Sequence, residues 1–112
     1  MFLVAAPGRE QVQGFFDYIR DHRIPTEKMS LCIDNITIMD IVGEYGGYLD
    51  KPLRMGFHAG LPPAEVVRMA TLNPAVHYHK DSLLGSLTPG RLADIVLLRE
   101  LDRFPPEIVI VG

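Results

Sequence analysis

Asp34 is the residue of this chain whose type and setting best suit chemistry: it follows the apolar run Leu31-Cys32-Ile33 and precedes a stretch able to form a helix. A carboxylate at such a junction either caps the helix by accepting its first amide protons or, in an active centre, takes a proton from an attacking water. Pattern alone favours the cap. Asn35 beside it cannot share the second role, because a side-chain amide does not serve as a base. His77-Tyr78-His79 would point both imidazoles to one face if it were extended, as a metal site needs. It follows the helix-breaking pair Asn73-Pro74 and has no third ligand nearby, so it reads as a surface turn.

The remaining polar candidates have plainer readings. His22 and His58 fall at helix ends, where a cation complements the helix dipole. Arg54 and Arg68 read as solvated helix charges. Cys32 is the only cysteine, so no internal disulfide can form and a reducing cytoplasm is the natural setting. Its apolar neighbours make it a buried, inert packing thiol.

These residues need elements to position them. Met1 to Ala6 is apolar and ends at Pro7-Gly8, which predicts a strand and a turn. No positive charge precedes it and no longer apolar stretch follows, so a secretory signal is not expected. Val12, Phe15, Phe16 and Ile19 then fall on one helical face, opposite Arg9, Glu10, Asp17, Arg20 and Asp21, and Pro25 is expected to stop that helix. Met29 to Ile33 follows as a second strand. Strand, helix, strand at this length suits a right-handed crossover in a parallel sheet, a design that carries its chemistry at the carboxyl ends of the strands, where Asp34 stands.

Downstream, Ile36 to Tyr45 suits a short helix loosened by Gly43, Gly46 and Gly47. Leu49 to Ala59 suits another, capped by Asp50, with Pro52 in its first turn and Gly60 at its end. Ala64 to Leu72 forms a third behind Pro62-Pro63, broken by Asn73-Pro74. From Leu83 the pattern turns to strands: Ala93 to Leu98 and Glu107 to Val111, with Thr88-Pro89-Gly90 as a turn and Arg103 to Pro106 as a connection.

Composition narrows the field. The 112 residues are 47% hydrophobic with a net charge of −3, enough for one packed core and unsuited to a phosphate backbone, since the basic residues form no patch. No apolar run approaches the roughly 20 residues of a membrane-spanning helix. Nucleic-acid and membrane partners are therefore not expected. Phosphate-loop, dinucleotide-binding, paired Cys-x-x-Cys and nucleophile-elbow motifs are missing from the sequence.

Three segments in order, Ala70-Thr-Leu-Asn-Pro-Ala75, Leu84-Gly-Ser-Leu-Thr-Pro-Gly-Arg-Leu-Ala-Asp-Ile-Val-Leu97 with Leu98, and Ile108-Val-Ile-Val-Gly112, resemble the carboxyl end of the amidohydrolase superfamily. Ser30-Leu-Cys-Ile-Asp-Asn35, Gly43-Glu-Tyr-Gly-Gly-Tyr-Leu-Asp50 and Gly60-Leu-Pro-Pro63 resemble its adenine deaminase group more than its dihydroorotases or hydantoinases. The resemblance implies an α/β fold: residues 1–82 as the terminal strand-helix units of a (β/α)8, TIM-type barrel, and residues 83–112 as part of a small flanking β-sandwich domain. It also implies that Asp34 matches the aspartate ending the eighth barrel strand, which touches the metal centre and handles protons. Asn35 departs from the second acid usual there.

The activity so implied is hydrolysis of adenine to hypoxanthine and ammonia, with a divalent metal (Mn, Fe or Zn) in the intact enzyme. A whole barrel takes about 250 residues and draws most metal ligands from earlier strands. These residues are therefore expected to form a fragment that binds no metal and has no deaminase activity alone. Two alternatives stand beside this: a non-catalytic module that self-associates through unpaired strand edges, and a related amidohydrolase acting on another cyclic amide or imide.

Overall fold

The computed structural model describes residues 2–5, 9–33, 37–42, 48–103 and 105–112. The expected turn at Pro7-Gly8, the Asp34-Asn35 pair and the glycines Gly43, Gly46 and Gly47 lie outside the described residues. The fold is mixed α/β, in the order β1 (Phe2–Ala5), α1 (Arg9–His22), β2 (Met29–Cys32), α2 (Ile38–Val42), α3 (Asp50–His58), α4 (Pro63–Ala70), α5 (Leu72–His77), β3 (Ile95–Leu97) and β4 (Ile108–Ile110). β1 and β2 pair in parallel, from Phe2 opposite Met29 to Ala5 opposite Cys32, and α1 connects them as the sequence pattern predicts. β3 and β4 pair antiparallel, Ile95 with Ile110 and Val96 with Val109.

The core forms where the apolar helix faces meet β2. Val12, Phe16 and Ile19 of α1 are buried together with Met29 and Leu31 of β2, Met55 of α3, and Val66 and Met69 of α4. Phe15 packs against this cluster from the edge, so all four predicted face residues of α1 point inward. Gly56 lets α3 approach α4: a Cβ there would stand 2.8 Å from Cγ1 of Val66, inside van der Waals contact. Arg20 adds a polar tie by donating from Nη1 to the carbonyl of Ala59 at 2.7 Å.

Three helices end alike. The amide of Ile24 bonds the carbonyl of Ile19, that of Leu61 bonds Gly56, and that of Lys80 bonds Ala75, each with an inner bond from the preceding residue. This is the Schellman arrangement, whose penultimate residue adopts positive φ. Gly60 fills that position after α3 at φ +82°, as expected, but Arg23 fills it after α1 at +51° and His79 after α5 at +55°. The stop for α1 is thus Arg23, two residues before Pro25, which only prevents continuation.

Two other expectations are corrected. Asn73-Pro74 does not break the chain out of helix; both lie in the first turn of α5, and the break is at Thr71, with φ −131° and ψ −81°. Proline is tolerated there because first-turn amides have no intrahelical acceptor to lose. Asp50 does not cap α3 as its N-cap residue: it sits inside the first turn, accepting from the Tyr48 amide at 2.7 Å and from Arg54 at 2.8 Å.

In the carboxyl segment, the turn at Thr88 closes with the Arg91 amide on the Thr88 carbonyl at 3.2 Å. Pro89 comes second and Gly90, at φ +90°, third, the signature of a type II turn. Asp94 accepts from the Gly112 amide at 3.1 Å, 18 residues along the chain.

Truncating Phe16 to alanine should destabilise the fold by about 3–5 kcal/mol, read as a fall in urea midpoint; Val67→Ala, on the exposed side of α4, should stay within about 0.5 kcal/mol of the parent. The side-chain hydrogen bond from Arg20 lowers the Asp21 pKa. The ion pair therefore favours the fold above the ordinary aspartate pKa and is lost as pH falls through the depressed one. A carbon-detected NMR titration should place the Asp21 midpoint below that of a free aspartate, and Arg20→Gln should move it upward.

Candidate functional site

The register Ala5 to Cys32 brings the carboxyl ends of β1 and β2 to one edge of their sheet. Asp34 follows Cys32 by two residues and itself lies outside the described residues. What the structure describes is the strand that precedes it in the chain. Ser30 and Leu31 are buried, and Ile33 packs on the core cluster. Cys32 is half-buried, which corrects the buried thiol expected from its apolar neighbours.

The opposite end of β2 is fixed by buried polar groups. Asn73, 6% exposed, donates both Nδ2 protons, one to the carbonyl of Thr26 and one to that of Met29, each at 2.8 Å. Thr26, also buried, donates its hydroxyl proton to Glu65 of α4 at 3.0 Å. Interior polar groups are costly unless bonded, and here the bonding connects α4 and α5 to the residues that start the strand. Sequence reasoning treated Asn73 as a helix breaker and missed this role. The signal available was an amide set among the apolar residues Leu72, Pro74, Ala75 and Val76.

The histidines do not converge. His22 ends α1, stacks on the Tyr18 ring at a centroid distance of 4.0 Å and places Nδ1 3.0 Å from the Tyr18 carbonyl. His58 ends α3, with Nε2 3.3 Å from Asp102. His77 ends α5, and His79 occupies the left-handed position beyond it. The segment His77-Tyr78-His79 is thus a helix terminus with exposed side chains, and the alternation a strand would give it never arises. Among the described residues, no group of three or more His, Cys, Asp and Glu comes together to hold a metal ion.

Of the two arginines read as solvated, Arg68 is exposed, but Arg54 is not: its half-buried side chain pairs with Asp50 across one turn of α3. A cavity of about 920 Å³ opens between α4, α5 and the segment leading into β3. Val67, Leu72, Leu84, Leu92 and Ile95 make its walls mostly apolar, with Arg68 and Lys80 also lining it. No helix among the described residues is long and apolar enough to cross a membrane.

Residues 14–112 match the model of the Amidohydrolase family. The chain belongs to that family. The match runs through β2, the Asp34 position, Asn73 and the β3–β4 ribbon, in agreement with the resemblance seen in the sequence. The chain is 39% identical over 83 residues to adenine deaminase 1 of Desulfotalea psychrophila, covering 74% of this chain and 14% of that protein. It is 41% identical over 76 residues to adenine deaminase 1 of Latilactobacillus sakei, covering 68% and 12%. With the adenine deaminase of Staphylothermus marinus it aligns over all 112 residues at 26% identity, 18% of that protein. The chain thus spans less than a fifth of the length of these relatives.

Replacing Asn73 by alanine removes one donor from each of two carbonyls, that of Thr26 keeping the Met29 amide at 2.9 Å, and should cost about 1–3 kcal/mol. Hydrogen exchange should locate the loss: amides of β2 and of the turn at Thr26 should lose more protection relative to the parent than those of β3 and β4.

Proposed function

We propose that these residues supply the closing part of an adenine deaminase-type hydrolase, which converts adenine and water to hypoxanthine and ammonia. The observation that carries the reading is the family match over residues 14–112, joined to relatives that are adenine deaminases by name. In this reading residues 1–82 are the terminal strand-helix units of a (β/α)8 barrel and residues 83–112 part of the flanking β-sandwich. The parallel β1–α1–β2 unit and the antiparallel ribbon that follows support the division.

Asp34 is the catalytic residue in this proposal, and the metal-contacting one. Mounted at the end of a strand whose base is clamped by Asn73, its carboxylate would take the proton of the water that attacks the ring carbon bearing the amino group. Asn35, an amide, cannot act as that base. The described residues do not fit a metal centre by themselves. A divalent ion (Mn, Fe or Zn) belongs only to the whole enzyme, with its other ligands outside these 112 residues. The substrate is then a purine-like small molecule.

A second reading, a non-catalytic module that associates with itself, is favoured by one observation: Ile108, Val109 and Ile110 of β4 are all exposed. The two differ in what the purified 112-residue chain does. Supplied with Mn(II) and adenine it should release no ammonia, because a lone carboxylate neither holds a metal set nor positions a purine. Turnover would overturn the division of labour proposed here. Exchanged into the matching segment of the Desulfotalea relative, the same residues should sustain deamination. There Asp34→Asn should lower kcat by about 10²-fold or more, the usual scale of a lost general base. An unchanged kcat would remove Asp34 from the chemistry, and turnover of hydantoin or dihydroorotate instead of adenine would reassign the substrate.

A further inference from the structure

We infer that Asn73 is a positioning residue for the reaction: its side-chain amide sets where β2 begins, and the strand carries that setting toward Asp34. The inference rests on the reading of Asp34 as the proton-accepting group and deepens it.

Three hydrogen bonds close on one another at the start of β2. The Met29 amide donates to the Thr26 carbonyl at 2.9 Å and closes the turn of residues 26–29. Asn73 spans that turn, giving one Nδ2 proton to the carbonyl of its first residue and the other to the carbonyl of its last, both at 2.8 Å. Among short side chains only a primary amide does this with one nitrogen; an aspartate of the same size has no proton to give. Apolar burial by itself would hold the strand less closely. It is non-directional, whereas a hydrogen bond weakens steeply as its angle departs from the optimum.

The clamp is braced on both sides. Asn73 belongs to the first turn of α5, and the backbone of Gly85 rests on that helix, where an added Cβ would meet the Ala75 Cβ at 2.8 Å and the Leu72 Cα at 3.2 Å. Opposite, the Thr26 hydroxyl bonds Glu65 of α4 at 3.0 Å. A shift of α5 therefore bears directly on the first residue of the strand.

The strand is a short lever. From Met29 to Cys32 it spans about 10 Å at the usual rise, so a tilt of about 6° at its base moves the far end by about 1 Å. Asp34 is two peptide bonds beyond that end. Misplacing a reacting group by about 1 Å can cost about 10²-fold in rate, which makes the clamp a matter of turnover as well as of stability.

Two measurements test the inference. With these residues exchanged into the Desulfotalea relative, Asn73→Ala should lower kcat per folded molecule by about 10-fold or more, while KM stays within about 2-fold because the loss falls on the transition state. Ile19→Val, which weakens the core on α1 without touching the clamp, should leave kcat per folded molecule at the parent value. Thr26→Val keeps both Asn73 bonds and loses only the bond to Glu65; its kcat should fall less, and it decides the matter if the alanine variant does not fold. The second measurement uses the 112-residue chain, whose only cysteine, Cys32, is half-buried at the end of β2. Without urea, Asn73→Ala should raise the rate of Cys32 labelling by iodoacetamide about 10-fold, as local opening of the strand does, and Ile19→Val should raise it far less. A clamp variant that keeps the parent kcat overturns the inference, as does a fall in kcat that Ile19→Val reproduces or that faster labelling of Cys32 does not accompany. Asp34→Asn inactive beside a fully active Asn73→Ala defeats this inference alone. A parent exchange that releases no ammonia from adenine defeats the deaminase reading itself, and the inference with it.

Discussion

Asn73 ties α5 to the start of β2 through two hydrogen bonds to main-chain carbonyls, and the position of the strand depends on that contact. β2 has only four residues and, among the described residues, one paired neighbour, β1, too little to stand by its own ladder. Its place comes from burial beneath α4 and α5 and from the bonding of its entry turn to Thr26, Glu65 and Asn73. With the base fixed and Leu31 buried, the strand has one direction in which to leave the core.

The helix ends distribute the polar chemistry over the surface. Each of the three Schellman closures turns the backbone through a left-handed residue, and only one of these is glycine. At Arg23 and His79 the strain of positive φ is accepted because the two bonds closing the helix, and an apolar residue after the turn in the case of Ile24, offset it. His22, His58 and His77 all stand in last turns, where a partial negative charge favours a cation. The same placement keeps the imidazoles apart, on three different helices, and leaves them without a shared focus.

The second half of the molecule is organised by contact with the first. At φ +93°, Gly85 rests its backbone against Thr71, Leu72 and Ala75, where a Cβ would come within 2.8 Å of the Ala75 Cβ. The segment after it runs over the apolar cavity and returns through the turn at Thr88 into β3. The ribbon itself is shallowly buried, with β4 exposed along its length. The family match spans both halves, the helical core and this ribbon alike.

The sequence by itself determined the element types and most of their order. Apolar residues recurring every three to four positions can only be buried as a helix face, and short β-branched runs between turn residues suit strands; Val12 to Ile19, Met29 to Cys32 and the two terminal strands followed. It also determined the family, because Ala70 to Ala75 and Leu84 to Leu98 carry turn and packing residues in a fixed order. It did not determine which helix end needed glycine, that Asn73 would donate to β2, or that Arg54 would be drawn half into the protein by Asp50. Those outcomes depend on which groups meet across distances of 44 to 47 residues or share one turn of a packed helix. Local propensity has no term for such meetings. They are decided when the core closes and every polar group inside it has to find a partner.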